Sequence, residues 1–356
     1  ESLTLRKPKD VLVYQTYQNN PTRLTNPRSR ELWIHYVIAD TGNFRLLELV
    51  DRYEVDPATG RIIGPVQYLD PVSGANVKAF GVLVWHSPAE LTGKQYAYNS
   101  ISRTFALDNN GNSRPIFAFG FGNFEPGRTS FGLDTPGNPQ VDIASGLGGI
   151  VLLDPAGSTT ELITQIEVPA IPVNAFYVDS AGTFSSPARA ARTQKIAGLS
   201  SVTIRYVDQN GTPALAVMFT DATGVYEVID TNPNPTQSTW TVRWMLPNEA
   251  GRVIRRNGAQ VPSGSQNAQF FRATFARRLD SGDVIVVNGY YGRTRNNLPF
   301  AGEVVLLDGD FGGANNEPGF GLGKVNLGFN SLSVKFELPP VTGTRPLSVP
   351  VFADRK

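Results

Sequence analysis

Two histidines and no cysteine set the first limits on what this 356-residue chain can do. Without cysteine there are no disulfides, thiolate metal sites, c-type haem links or cysteine nucleophiles. His35 lies inside an apolar run and His86 ends another. Two imidazoles cannot form a three-histidine zinc site, although two plus a carboxylate could hold a metal. The plainer reading is one packed and one strand-end histidine. Asp40, Asp221 and Asn288 each end an apolar stretch. Residues of that type commonly satisfy backbone N–H groups of their own turn. Arg45, close to Asp40, would brace such a turn through a carboxylate–guanidinium pair. A third group is basic and aromatic: Arg252, Arg255 and Arg256 in residues 247–268, then Tyr290, Tyr291, Arg293, Arg295 and Phe300 in residues 289–301. Arginine and aromatic side chains on loops suit recognition of a protein or glycan partner; plain solvated loops are the competing reading. No GxSxG elbow is present. The Gly-rich runs at 120–127 and 312–323 precede neither Lys-Ser/Thr nor a helical pattern, so they are not phosphate loops.

These residues must be positioned by strands. Residues 32–39, LWIHYVIA, are apolar or aromatic in nearly every place, as in a strand covered on both faces. Asp40-Thr41-Gly42-Asn43 reads as a turn, with Gly42 free to take positive φ. A second strand then runs to Asp51. Its ending recurs as Gly149-Ile-Val-Leu-Leu-Asp154, Gly224-Val-Tyr-Glu-Val-Ile-Asp230 and Gly302-Glu-Val-Val-Leu-Leu-Asp308, with a weaker copy at Arg103-Thr-Phe-Ala-Leu-Asp108. Strand–turn–strand units recurring every several tens of residues indicate repetition of small sheets.

The first copy, YVIADTGNFRLLEL, resembles the repeat of NHL-repeat β-propellers. The stretches Gly120-Phe-Gly-Asn-Phe-Glu-Pro-Gly127 and Thr135-Pro-Gly-Asn-Pro-Gln-Val-Asp142 are similar to that family's Gly-rich lead-in to a blade. The resemblance touches about a third of the chain and implies a propeller, often one that binds a ligand. Lactonase-type relatives gather Asp, Asn and Glu oxygens around the axis to hold calcium, which polarises a carbonyl. Asp40, Asp221 and Asn288 are the residues here that such a site would use.

The expected fold is therefore all-β: a β-propeller of six blades, with five and seven as alternatives, in a single domain over residues 1–356. Its ring would close by pairing residues 11–17 with a strand from 324–339 or 347–353, leaving no free edge. Residues 1–10 read as an exposed lead or a joint. Residues 80–86, 95–101, 104–107 and 115–120 would make a second four-stranded unit, and about 141–168 a short third. Residues 187–197 carry the one helix signature, with Ser186 as cap, Pro187 in the first turn and Gly198 as stop. With 35 Gly and 26 Pro the chain is rich in turns. A net charge of +1 gives no field to recruit nucleic acid or an anionic membrane, and no apolar run is long enough to cross a bilayer.

The function these readings favour is a non-catalytic binding or assembly module for a protein or glycan, without a cofactor. It would be extracellular or on the cell surface, with the periplasm as an alternative, and a surface filament is one assembly it could join. The other class is a divalent-metal hydrolase or lyase of the lactonase type.

Overall fold

In the computed structural model the sheets are built around meanders of strands joined to their sequence neighbours. The structure describes residues 4–19, 30–70, 72–86, 96–107, 113–122, 148–154, 159–170, 190–209, 212–231, 238–247, 254–256, 259–260, 273–280, 282–288, 303–307 and 332–338. The chain forms two compact units, residues 1–101 and 102–356. Both are all-β, and the described residues hold one short helical turn, Thr41–Asn43.

In the first unit, β1 (Asp10–Asn19), β2 (Arg30–Asp40), β3 (Arg45–Val55) and β4 (Ile62–Pro65) form an antiparallel meander. β5 (Gln67–Leu69) and β6 (Asn76–Lys78) make a separate hairpin. β7 (Val82–His86) pairs with β3. The alternation of β1 explains its place at the edge: Val11, Val13 and Tyr17 are exposed, while Leu12, Tyr14 and Thr16 are half-buried.

In the second unit, β8 (Tyr98–Leu107), which starts in the first, is followed by β9 (Ser113–Phe121), β10 (Gly149–Asp154) and β11 (Thr159–Ile163) in a four-stranded meander. β12 (Gln165–Val168) and β13 (Arg192–Lys195) form a hairpin. That hairpin joins the next meander, β14 (Ser201–Gln209), β15 (Thr212–Asp221), β16 (Gly224–Asp230) and β17 (Trp240–Pro247), through a parallel pairing of β12 with β17. The last sheet follows the same plan. β18 (Ile254–Arg256) and β19 (Ala259–Gln260) form a hairpin attached in parallel to β23 (Leu332–Leu338), the outer strand of the meander β20 (Ala273–Arg278), β21 (Val284–Asn288), β22 (Glu303–Leu307) and β23.

The repeated motif thus sits on the third strand of a four-stranded meander four times, in β3, β10, β16 and β22. The first strand β14 is hydrogen-bonded through serine side chains to the first strands β8 and β20. The Ile204 amide donates to Ser102 Oγ at 3.0 Å, and the Ala276 amide to Ser201 Oγ at 3.3 Å. Between the β8–β11 and β14–β17 sheets lies an apolar core that includes Ala118, Ile150, Ile163, Val217, Phe219, Tyr226 and Val242, all buried. Each large apolar side chain there contributes roughly 1.5–3 kcal/mol.

Several expectations are corrected. The 103–108 copy is not equivalent to the others: residues 103–107 lie on β8, the first strand of the sheet whose third strand carries Asp154. Residues 82–86 pair with β3, and residues 149–163 complete the sheet of β8, so the expected second and third units merge. Residues 332–338 pair with β22 and residues 11–17 with β2, in different sheets. Apolar side chains at every second position from Leu332 to Leu338 suit the outer place beside β22. Residues 347–353 lie outside the described residues.

The helix expected at 187–197 is replaced, in its described part, by β13. Arg192 to Lys195 pair with β12, and Ile196 and Ala197 are fully buried beyond it. Partner pairing and burial override the local helix propensity of the Ala-rich run. The supposed loop 247–268 contains β18 and β19, so Arg255 and Arg256 are strand residues.

Gly42 serves a close approach; it does not take the positive φ. That conformation falls to Phe44, at φ 54°. The Gly42 amide donates to the Arg6 carbonyl at 2.7 Å, and a Cβ on Gly42 would lie 2.5 Å from that oxygen. Gly42→Ala is therefore expected to separate the lead from the turn and lower stability by about 1–3 kcal/mol, read from the urea midpoint.

Candidate functional site

The strand-end acids come first. Asp40 ends β2, and its carboxylate accepts from three directions: the Arg6 amide at 2.6 Å, Asn43 Nδ2 at 2.8 Å and Arg45 Nε at 2.8 Å. Asp221 ends β15 and is treated likewise. It accepts from the Thr223 amide and hydroxyl, both at 2.7 Å, from the Gly224 amide at 3.1 Å and from the Ala197 amide at 3.4 Å. The backbone around the two acids matches bond for bond. Gly42 N donates to Arg6 O as Ala222 N donates to Ala197 O, and Lys9 N to Ala39 O as Ser200 N to Thr220 O. Each acid clamps the segment that leads into a meander onto the turn between its second and third strands. The exposed residues 4–9 are therefore fastened to the first hairpin as part of a repeat.

Burial pushes the Asp221 carboxyl up to about 6, against the opposing pull of Thr223, Ala197 and Gly224. Asn288, the third member, ends β21 opposite Glu303. In both Asp40 and Asp221 one oxygen is engaged by donors of the acid's own turn and the other by a backbone amide of the lead-in segment. Among the described residues no group of three or more His, Asp or Glu could hold a metal ion.

A second assembly was not foreseen. Glu227, in the middle of β16, is fully buried and gathers three guanidiniums. Arg205 of β14 donates to Oε1 through Nε at 3.1 Å and Nη2 at 3.0 Å. Arg278 of β20 donates through Nε to both oxygens, at 3.2 and 3.1 Å. Arg243 of β17 lies 3.5 Å from Oε2, next to the bulge that displaces β17 against Glu227 and Val228. Arg278 is also held by the Gly282 carbonyl at 2.7 Å and by the face of Trp244, 5.4 Å away. Burial alone would raise the Glu227 carboxyl; Arg278, Arg205 and Arg243 together outweigh it and hold it down at about 2. Burial and the two neighbouring guanidiniums lower Arg243 to about 10, in spite of Glu227.

A third assembly, in the first unit, surrounds His35. Nδ1 lies 2.8 Å from Glu48 Oε1 and Nε2 lies 2.7 Å from Thr16 Oγ1. An ionised carboxylate only accepts, so Nδ1–H donates to Glu48, while Nε2 and the Thr16 hydroxyl share the second hydrogen bond. Tyr14 donates to the same Glu48 oxygen at 2.6 Å, and its ring stacks on the imidazole at 4.3 Å. Arg52 donates to Glu31 at 2.6 Å and lies 5.0 Å over the Trp33 ring. The order hydroxyl–imidazole–carboxylate can orient a proton, but both ring nitrogens are taken and neither is open to a metal. Glu48 and Glu227 stand three residues before the closing Asp of their repeats, Asp51 and Asp230. A charge at that place in an apolar strand was the signal in the sequence that could have found both assemblies.

Arg252, Tyr290, Tyr291, Arg293, Arg295 and Phe300 lie outside the described residues. Of Arg255 and Arg256, the structure describes the backbone, in β18. His86 ends β7 opposite Leu47. No helix among the described residues is long and apolar enough to cross a membrane. Compared with protein-family models, curated proteins and solved structures, the chain matches none.

Proposed function

We propose that the chain is a β-propeller of the NHL-repeat type acting as a non-catalytic binding or assembly module, outside the cell or on its surface, for a protein or glycan partner. The four meanders are its blades, toward the six that the sequence predicts. The hydrogen bonds that join β14 to β8 and to β20 support this reading, because the first strands of successive blades line a propeller's axis. The observation that carries the functional part is the shared clamp of Asp40 and Asp221. Acids that a calcium-dependent lactonase would turn toward its substrate here hold lead-in segments to turns. Recognition then falls to the Arg- and aromatic-bearing segments.

The test is a chain in which residues 289–301 are shortened to a four-residue turn. It should keep the parent's Tm and lose binding to a glycan array and to cell-surface extract. Calcium-dependent turnover of a lactone or ester by the parent chain, lost in a folded Asp221→Ala variant, would overturn the reading.

A further inference from the structure

We propose that two copies of this chain associate around a two-fold axis at the outer edge of the first sheet, with β7 antiparallel to its mate and the β5–β6 hairpin flanking the contact. β4 and β7 share the outer side of β3, β4 along residues 53–55 and β7 along residues 47–50. The chain leaves this line between them. The Val66 amide donates to the Arg52 carbonyl at 2.9 Å, the Arg52 amide to the Ala79 carbonyl at 2.9 Å and the Ala79 amide to the Val66 carbonyl at 2.8 Å. Beyond those anchors β5 and β6 project as a hairpin. Asp70 fixes its tip: its amide donates to the Ala75 carbonyl at 2.9 Å, and its Oδ1 accepts from the Val72 amide at 3.0 Å. A contact surface set in advance loses little entropy on docking.

Other sheets of the chain finish this edge differently. In the second unit β12 covers the outer side of β17, and β18 that of β23. β11, the outer strand of the β8–β11 sheet, carries Glu161 and two threonines. Among the described residues no strand pairs with the outer side of β4 or β7. β7, Val82-Leu-Val-Trp-His86, holds no Lys, Arg, Asp or Glu, the charges that commonly keep an edge from meeting its like. Ile62, Ile63, Leu69, Val72, Leu83 and Val84 are exposed along this edge and its hairpin, Val72 to 93%. Six such side chains leave roughly 400 Å² of apolar surface in water, about the apolar half of the ~800 Å² per partner in a standard interface. The charges suit a second copy. Residues 61–86 carry Arg61, Asp70 and Lys78 alone, and the whole chain is at +1, so like meets like without long-range repulsion. A two-fold axis through Val84 sets Leu83 opposite Trp85 and brings no like charges together. This edge is apart in sequence from residues 247–268 and 289–301, and the association does not depend on their role in recognition.

The test is sedimentation equilibrium of the full chain at pH 7 between about 1 and 100 μM, where a monomer–dimer equilibrium is expected. Val72→Glu combined with Leu83→Glu changes two exposed positions, so the variant should keep the Tm of the dilute parent. Each substitution acts twice in an isologous contact, and the dimer dissociation constant should rise about a hundredfold. The chain has no cysteine, so Val84→Cys supplies a single thiol. Under a mild oxidant it should form a disulfide-linked dimer at least about tenfold faster than Val13→Cys, which is as exposed but lies on the opposite edge strand, β1. The chain shortened at 289–301 should remain dimeric, which separates this contact from partner recognition. A monomer at every concentration would assign the edge to an unlike partner and overturn the proposal. So would an open-ended polymer, a dimer unaffected by the two glutamates, or equal cross-linking at Val84 and Val13.

Discussion

Glu227→Gln is expected to lower stability by about 3–5 kcal/mol in chloride buffer, because removing one partner of a buried ion cluster leaves the others uncompensated. The substitution keeps the shape of the side chain and one acceptor oxygen, so cavity formation adds little. What it removes is the charge that Arg205, Arg243 and Arg278 share. Removing both sides of the pairing should be milder. Glu227→Met combined with Arg278→Met removes one buried charge of each sign and fills the space beside Trp244, and it should recover part of the loss.

The pH dependence has a definite sign. The folded carboxyl, at about 2, lies below its ordinary value of 4.5. Its contribution is therefore present above pH 4.5 and disappears as pH falls toward 2, an effect of about 3 kcal/mol. Urea unfolding of the parent and the Glu227→Gln variant between pH 2 and pH 6 should show their difference growing with pH and levelling off above 4.5. A constant difference would mean that the carboxylate is not held by its guanidiniums.

The sequence and the structure agree where strand pairing is local. The meander 201–247 was legible because each strand is a dense apolar run next to its partner, and its first two connections, 210–211 and 222–223, are two residues long. The same holds for the Asp40 turn, where Arg45 lies close in sequence. Agreement ends where a distant partner decides. Nothing in Val82–His86 indicates pairing back to β3 in place of its downstream neighbours. Leu332–Leu338 alternates correctly for a strand, but only the open outer side of β22 determines its sheet. Residues 192–195 carry helix-favouring neighbours, yet Ile196 and Ala197 reach the core only if the chain stays extended beside β12.

Glu227 shows the same division within one site. An acid inside Gly224-Val-Tyr-Glu-Val-Ile-Asp230 is visible as a charge in a strand too apolar to solvate it. Its three partners come from β14, β17 and β20, separated from it by 16 to 51 positions, and no spacing rule links them. The repeat supplies what spacing cannot. Glu48 holds the equivalent place in the first copy and also gathers polar partners, Tyr14 and His35, from neighbouring strands. The position is one where this repeat accommodates a buried acid, and the partner side chains differ between copies.

Asp221→Ala should lower stability by about 2–4 kcal/mol, with Asp221→Asn staying within about 1 kcal/mol of the parent at pH 7. Alanine leaves the Thr223 and Gly224 amides of a buried turn without their acceptor and releases the Ala197 amide as well. Asparagine can keep its oxygen where Oδ1 accepts from Thr223 and Gly224, and it loses only the long Ala197 bond. The chain already uses asparagine at this repeat position, as Asn288 at the end of β21. The pH dependence runs opposite to that of Glu227. Burial raises the folded Asp221 carboxyl to about 6 from 3.8, so its contribution is fully present below pH 3.8 and is lost as pH rises through 6. The loss amounts to about 3 kcal/mol. Parent stability minus Asp221→Asn stability, from urea midpoints between pH 3.5 and pH 7.5, should fall across that window. A flat difference, or an asparagine variant as unstable as the alanine one, would show that the charged carboxylate is required and that the clamp works by another balance of forces.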